Sequence, residues 1–377
     1  MWNVGADMVP WIAAGAGILG TGGGGNPYYG QLHVLRLLRG GVEVRVVDAD
    51  ELPDDALCVS VGGMGAPTIG IEKVRRGDEP LVALRALEAH VGRKAGYLIS
   101  GEIGGSNALW PLAVAALTGL AVIDGDGMGR AFPELQQITF SIYGVHCTPA
   151  AIADVKHNVA LFDNLADTVT LERYARAVTV QMGGSSGYAY PLMSGKQVKD
   201  FAVKRTITLA CRVGRAVSDA RRDHNDPVLA ILGHTGGEVV FRGKVVDVDR
   251  RMVAGFARGR LKLDTLDPGL GTSLEIDLQN EYLIARRDGA VAAVVPDLIC
   301  LVDLTTGQPV TTEIVRYGLR VAVLRVPAPG LLTTPKALRT VGPAAFGYRD
   351  TQYRRGEGIY GAERLTAADG GLMASPG

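Results

Sequence analysis

The chain has 377 residues, 47% of them hydrophobic, with 39 basic and 39 acidic side chains and no formal net charge. That length and apolar content allow a large core in two or three domains and exclude a disordered or fibrous chain. The charge balance, with no dense Lys/Arg block among aromatics, argues against nucleic acid or an anionic membrane as main partner.

The first twenty residues, "MWNVGADMVPWIAAGAGILG", are apolar and read as helical. They lack the basic leader of a signal peptide. No apolar stretch is long and clean enough to span a bilayer. A soluble, cytoplasmic protein is expected. "GTGGGGNPYYG" follows, with Gly22, Gly23, Gly24 and Gly25 in a row before Asn26 and Pro27. No G-K-[ST] comes after it, so it is not a P-loop. No clear strand comes before it, so it only partly mimics a dinucleotide fingerprint. Backbone N–H groups in such a nest could still hold an oxyanion or a carbonyl.

Short β-branched runs come next: "VEVRVV" (43–48), "ALCVSVGG" (56–63), "GYLIS" (96–100) and "LAVID" (120–124). Each reads as a strand with Gly or Asp at its C-terminal end. Residues 79–92 and 106–120 read as helices, the second with Ser106 as N-cap. Strand, Gly turn, helix, strand predicts an α/β domain with a mainly parallel sheet, whose ligands bind beyond the C-terminal strand ends. This domain is expected over residues 1–165. From Ser194 to Asp223 one long helix is expected, capped by Ser194. Alternating strands punctuated by Gly, Asp-Pro and Asp-Gly turns follow. They predict a β-rich α+β domain over residues 166–360. Residues 361–377 are expected to form a disordered tail.

Four segments could carry chemistry. "DGDGMGRAFPELQ" puts Asp124 and Asp126 two apart at a strand end, with Arg130 and Glu134 beyond, at the start of an expected helix. Two carboxylates held together raise one pKa, which makes an acid and a base from one residue type. They could equally hold a divalent cation. The structural alternative is a surface turn with an Arg–Glu helical pair. "SGEIGGSN" puts Glu102 at another strand end, as a general base, with Asn107 as an orienting amide. The alternative there is a solvated Glu102 and a merely capping Ser106. "VGGMGAPTIGIEK" offers Met64 and Glu72 as a site wall, or a structural turn. The glycine run with Asn26 is the fourth segment.

Cys58, Cys147, Cys211 and Cys300 form no C-x-x-C pair, and three sit in apolar runs. Reduced, buried thiols are expected, as in a reducing cytosol. The six histidines form no H-E-x-x-H, so any metal site would be assembled from distant parts of the chain. No G-x-S-x-G elbow is present. No cofactor is expected.

"GILGTGGGGNPYYG", "GGMGAPTIGIEK", "EIGGSNALWPLAVAALTGLAVIDGDGMGRAFPELQ", "FRGKVVDVDRRMVAGFARG", "NEYLIAR", "VPDLICLVD", "RYGLRVAVL" and "GPAAFGY" occur in that order from about residue 16 to about residue 350. Together they resemble the DUF917 family of S-methyl thiohydantoin desulfurase-like, hydantoinase/oxoprolinase-associated proteins. The resemblance implies two domains and release of methanethiol from a thiohydantoin-type ring, a hydrolase chemistry. It also implies a small cyclic substrate, and it is compatible with a homo-oligomer or a hydantoinase-type partner subunit. The expected roles are Asp124 or Asp126 as base, Arg130 as carbonyl or ring donor, and Gly22 to Gly25 as the oxyanion cradle. "QNEY" in the second half is a further candidate for the pocket or for a subunit interface. The competing reading is an accessory subunit that binds a small ligand in the same crevice.

Overall fold

A computed structural model describes residues 1–66, 68–73, 75–267, 269 and 271–371. The first sheet has nine strands: β1 (Trp2–Val4), β2 (Val44–Asp48), β3 (Leu57–Gly65), β4 (Tyr97–Ser100), β5 (Ala121–Asp126), β6 (Ala150–Ala153), β7 (Val159–Phe162), β8 (Ser185–Ser194) and β9 (Val203–Lys204). They run in the order β1-β2-β5-β4-β3-β8-β6-β7, with β9 on the end of β5. The central strands β2, β5, β4 and β3 are parallel, and antiparallel strands flank them. The expected α/β organisation is therefore present, as a mixed sheet with a parallel centre.

The helices 9–19, 79–91 and 110–118 contribute buried apolar side chains to one core with this sheet. Gly92 and Gly119, both in the left-handed region, end the second and third of them. Ser106 is not a helix cap. Its hydroxyl donates to the Asn26 carbonyl at 2.5 Å, and a 3-10 turn over Gly105–Ala108 precedes the helix. Residues 127–134 are not helical either, so the expected Arg130–Glu134 helical pair does not form.

The expected long helix is broken. Ser194 caps a short helix (Gly195–Phe201) through a capping box with Gln197. β9 then pairs with β5, and a second helix runs from Thr206 to Arg222. The break is at Arg205, whose φ is +63°. Ion pairs from its guanidinium to Asp48 and Asp50, both at 2.9 Å, and the hydrogen bond from its N–H to the Asp124 carbonyl at 2.7 Å hold that conformation. The apolar period alone carries no sign of this break, because a left-handed residue leaves the hydrophobic pattern intact. Helix 206–222 packs closely on helix 9–19. A Cβ at Gly15 would stand 1.9 Å from the Ala210 carbonyl, and one at Gly214 1.9 Å from the Trp11 carbonyl. Strands β8 and β9 thus complete the first sheet from beyond residue 165.

The second sheet is antiparallel throughout: β10 (Glu238–Val253), β11 (Phe256–Thr265), β12 (Ser273–Gln279), β13 (Glu281–Arg287), β14 (Ala290–Val294), β15 (Leu298–Asp303) and β16 (Arg320–Val326), in the order β14-β13-β12-β11-β10-β16-β15. Alternation sets its faces. Leu274, Ile276 and Leu278 point into the core, while Asp277 on the outer face pairs with Arg260 and Arg286. Residues 361–371, expected in a disordered tail, are ordered. Gly361–Arg364 forms a 3-10 turn beside the core, and Asp369 pairs with Arg212 at 2.5 Å. Residues 372–377 lie outside the described residues.

Candidate functional site

A cavity of about 330 Å³ opens beyond the C-terminal ends of β3 and β4, where a parallel sheet presents its ligands. Glu102 follows β4 directly and is 7% exposed on the cavity wall. Its Oε1 accepts from Asn107 Nδ2 at 2.5 Å, and its Oε2 from the Phe132 N–H at 3.2 Å. Asn107 is fixed in turn, because Oδ1 accepts from the Gly63 N–H at 2.7 Å and Nδ2 also donates to the Gly63 carbonyl. This amide therefore orients the carboxylate, as its position after Glu102 suggested. Burial is the main cause that pushes Glu102 up to about 7, with Asp126 adding repulsion.

The opposite wall comes from the second sheet. Asn280 and Glu281, at the turn between β12 and β13, line the same cavity. Glu281 is buried, and its Oε2 has no hydrogen-bond partner. Burial, followed by repulsion from Glu102, holds this carboxyl well above its ordinary range. Tyr188 on β8 adds a buried hydroxyl kept protonated by the same desolvation. Glu134 and Arg176 lie further along the wall. Arg176 pairs with Glu172 at 2.7 Å and stacks over Phe256. Glu134 is raised by burial and then by Glu172.

The glycine run splits between two tasks. Gly24 and Gly25, with Asn26, line the cavity. Gly22 and Gly23 face the second sheet: a Cβ on Gly22 would stand 2.6 Å from the Tyr282 ring, and one on Gly23 1.9 Å from Glu281 Oε1. The glycines are needed as much to admit Glu281 and Tyr282 as to admit a ligand. Asn26 also caps helix 27–37 through the Tyr28 N–H. Met64 lines the cavity, whereas Glu72 is exposed and away from it.

The DGDG segment lies behind the wall rather than on it. Asp124 accepts from the N–H groups of Ile207 and Thr208 and from the Thr208 hydroxyl, so it caps helix 206–222 from outside. Asp126 is fully buried, and its Oδ2 accepts from the N–H groups of Ile103, Met128 and Gly129. Both carboxyls are raised, Asp126 to about 7. The leading cause is desolvation, not the mutual repulsion that their spacing suggested. Arg130 is fully buried. It donates to the carbonyls of Ala131, Pro296, Asp297 and Tyr282 and to the Thr21 hydroxyl. This joins the two sheets behind Glu281 and leaves no donor directed at a ligand. Among the described residues, no cluster of three or more His, Cys, Asp or Glu side chains is placed to hold a metal ion. All four cysteines are buried and unpaired, and burial raises each thiol. No described helix is long and apolar enough to cross a membrane.

Residue reasoning left Glu281 without a role and did not single out Arg75, Trp110 or His33 on the same wall. The available signal for Glu281 was an acidic side chain opening the otherwise apolar strand "EYLIA", where a surface position would be wasted on a strand buried on both faces.

Comparison with known proteins adds the lineage. The sequence model for the N-terminal domain of S-Me-THD-like proteins matches residues 7–164, and that for their C-terminal domain matches residues 166–355. No curated protein matches the chain. Among solved structures, the chain is similar to the X-ray crystal structure of a structural-genomics target from Chromobacterium violaceum. The two share 27% identity at a TM-score of 0.79, over 94% of this chain and 100% of that one. With both domain models matched in order over nearly the whole length, the chain belongs to the S-methyl thiohydantoin desulfurase-like family.

Proposed function

We propose that the protein is a hydrolase that removes the S-methyl group of a small hydantoin-like ring as methanethiol. One observation carries this reading: two carboxyls from different sheets, Glu102 and Glu281, share the wall of a cavity of about 330 Å³, and both are shifted toward the protonated form. That volume suits a compact heterocycle. Paired carboxyls with raised pKa values can divide the roles of base and acid at neutral pH.

In this reading ionised Glu102 takes a proton from water, whose oxygen adds to the ring carbon that bears the thioether. Protonated Glu281 gives its proton to the adjacent ring nitrogen, so the tetrahedral adduct is neutral. On collapse the carbon–sulfur bond breaks. The sulfur leaves with the proton held by Glu102, and the adduct hydroxyl returns its proton to Glu281 as the new carbonyl forms. Water is consumed, and methanethiol and the ring amide are released. The Tyr188 hydroxyl is the donor for the existing ring carbonyl.

The test uses the purified chain with S-methyl thiohydantoin and a thiol reagent that detects methanethiol. Glu102→Gln is expected to lower turnover by about 100-fold or more. Release at the wild-type rate from that variant, or no release from the wild type, would overturn the reading.

A further inference from the structure

The first sheet ends on β7 (Val159–Phe162), whose one neighbour among the described residues is β6. An edge strand presents a row of backbone donors and acceptors to any second strand, and natural edges are guarded by a charge, a proline, a bulge or a covering segment. β7 reads Val-Ala-Leu-Phe and pairs with β6 in unbroken register, so its shortness is its one guard. Ala160 and Phe162 pack on a core that includes Leu171 and Ala175 of helix 168–181. Val159 and Leu161 point to the other face, 44% and 37% exposed. The opposite edge of the sheet differs: β1 buries Trp2 and Val4 and shows only Asn3. β7 is also held firmly. His157 Nε2 bonds Asp78 at 3.1 Å just before the strand, and His90 Nε2 bonds Asp163 at 2.8 Å just after it, which ties both ends to helix 79–91. A strand fixed in this way loses little freedom on pairing.

The edge is complementary to itself. In an antiparallel pair, directly opposite residues share a face. With a two-fold axis at Ala160, Val159 stands opposite the partner's Leu161, and Leu161 opposite the partner's Val159, so both exposed apolar side chains are covered. Charge sorts the direction. The exposed Lys156 precedes the strand, and Asp163 follows it. Antiparallel pairing brings each basic end to an acidic end, whereas parallel pairing would bring Lys156 to the partner's Lys156. We propose that two copies of this chain pair antiparallel through β7, centred on Ala160, and join their first sheets into one continuous sheet across a two-fold axis. β7 contributes no residue to the cavity wall, so the interface goes beyond the hydrolase reading and stands without it.

The experiment measures the mass of the full chain by sedimentation velocity across a wide range of concentration. It compares the wild type with the double variant Val159→Lys, Leu161→Lys, and thermal unfolding confirms that the variant is folded. The wild type is expected to sediment as a dimer. The variant is expected to raise the dimer dissociation constant at least about 100-fold, because each lysine enters the interface twice and faces a like charge. Register is read by oxidation of two variants with one added cysteine each, the four native thiols being buried. Ala160→Cys sets two thiols directly opposite, with Cα atoms about 5 Å apart and within disulfide reach. Val159→Cys sets them two positions out of step, roughly 7 to 8 Å apart and out of reach. Ala160→Cys is therefore expected to give a cross-linked pair of chains on a non-reducing gel, and Val159→Cys only traces. A monomeric wild type, a dimer untouched by the two lysines, or equal cross-linking of the two cysteine variants would overturn the proposal. Should the lysine variant not fold, the two cysteine variants alone decide.

Discussion

Glu102 carries its charge in a wall that is only 7% open to water, so catalysis and stability oppose each other at this side chain. Its pKa of about 7 in the folded chain lies above the ordinary 4.5. Between those values the folded chain keeps a proton that the unfolded chain has released. Its contribution to stability is therefore full below about pH 4.5 and is lost as pH rises through 7. The loss amounts to about 3 kcal/mol when complete. Denaturant unfolding of wild type and Glu102→Gln at pH 5 and pH 8 should show this. The wild type is expected to lose about 3 kcal/mol more over that interval than the glutamine variant, which keeps the loss due to Asp126 and the other raised carboxyls. Identical pH dependence in the two proteins would contradict the burial argument. The two aspartates of the DGDG segment show a different use of the same residue type. Asp124 Oδ1 and Asp126 Oδ2 accept from backbone N–H groups, and the bond from the Ile103 N–H to Asp126 fixes the loop that bears Glu102. Their place at a strand end was legible in the sequence. Whether each side chain turned to the crevice or to the backbone behind it depended on helix 206–222, far along the chain.

Among the elements, the Gly22–Gly25 loop is the one on which both sheets meet. Thr312 donates its N–H and its hydroxyl to the Gly22 carbonyl, and Asn107 and Ser106 donate their N–H groups to the carbonyls of Gly24 and Gly25. Gly23 is the informative position. Its φ is not in the left-handed region, so its lack of a side chain answers to space alone. A Cβ there would meet Glu281 Oε1 at 1.9 Å, and the carboxyl would have to swing away. Gly23→Ala is therefore expected to reduce turnover by about tenfold or more, since displacing an acid by an ångström misaligns proton transfer. Stability should fall by only about 1 to 2 kcal/mol, because a Glu side chain can relocate where backbone cannot. Steady-state kinetics beside thermal unfolding would check this, and unchanged turnover would separate Glu281 from the reaction.

At the scale of the whole molecule, the two sheets share one site and one buried cation. Arg130 bonds Thr21 in the first part of the chain and the carbonyls of Tyr282, Pro296 and Asp297 in the second. The nearby Glu281 is the strongest influence favouring its charge, against a burial that lowers its pKa to about 10. Removing the cation would orphan several buried carbonyls and the Thr21 hydroxyl at the junction. Arg130→Met is expected to cost about 3 to 5 kcal/mol, and Arg130→Lys less, because the charge survives while the fan of donors does not. Equilibrium unfolding in denaturant measures both, and a change below about 1 kcal/mol for Arg130→Met would show that the junction does not depend on this residue.

The parallel strands β2 to β5, their Gly-rich ends, the helix over 79–91 and the alternating strands of the second half were all legible in the sequence. Each follows from local periodicity and from residues whose backbone preferences act within a few positions. Glu102 and Asn107 were legible as well, because they follow a strand end directly. The sequence by itself thus determined the elements, the strand ends where a site would form and the family. Only the tertiary structure decided that Glu281 closes the wall opposite Glu102, that Arg75 lies over Trp110 on the same wall, and that Arg130 and the DGDG aspartates are turned inward. The physical reason is that burial and pairing are set by groups that the fold brings together from separate elements, and desolvation, which governs these charges, has no expression in local spacing.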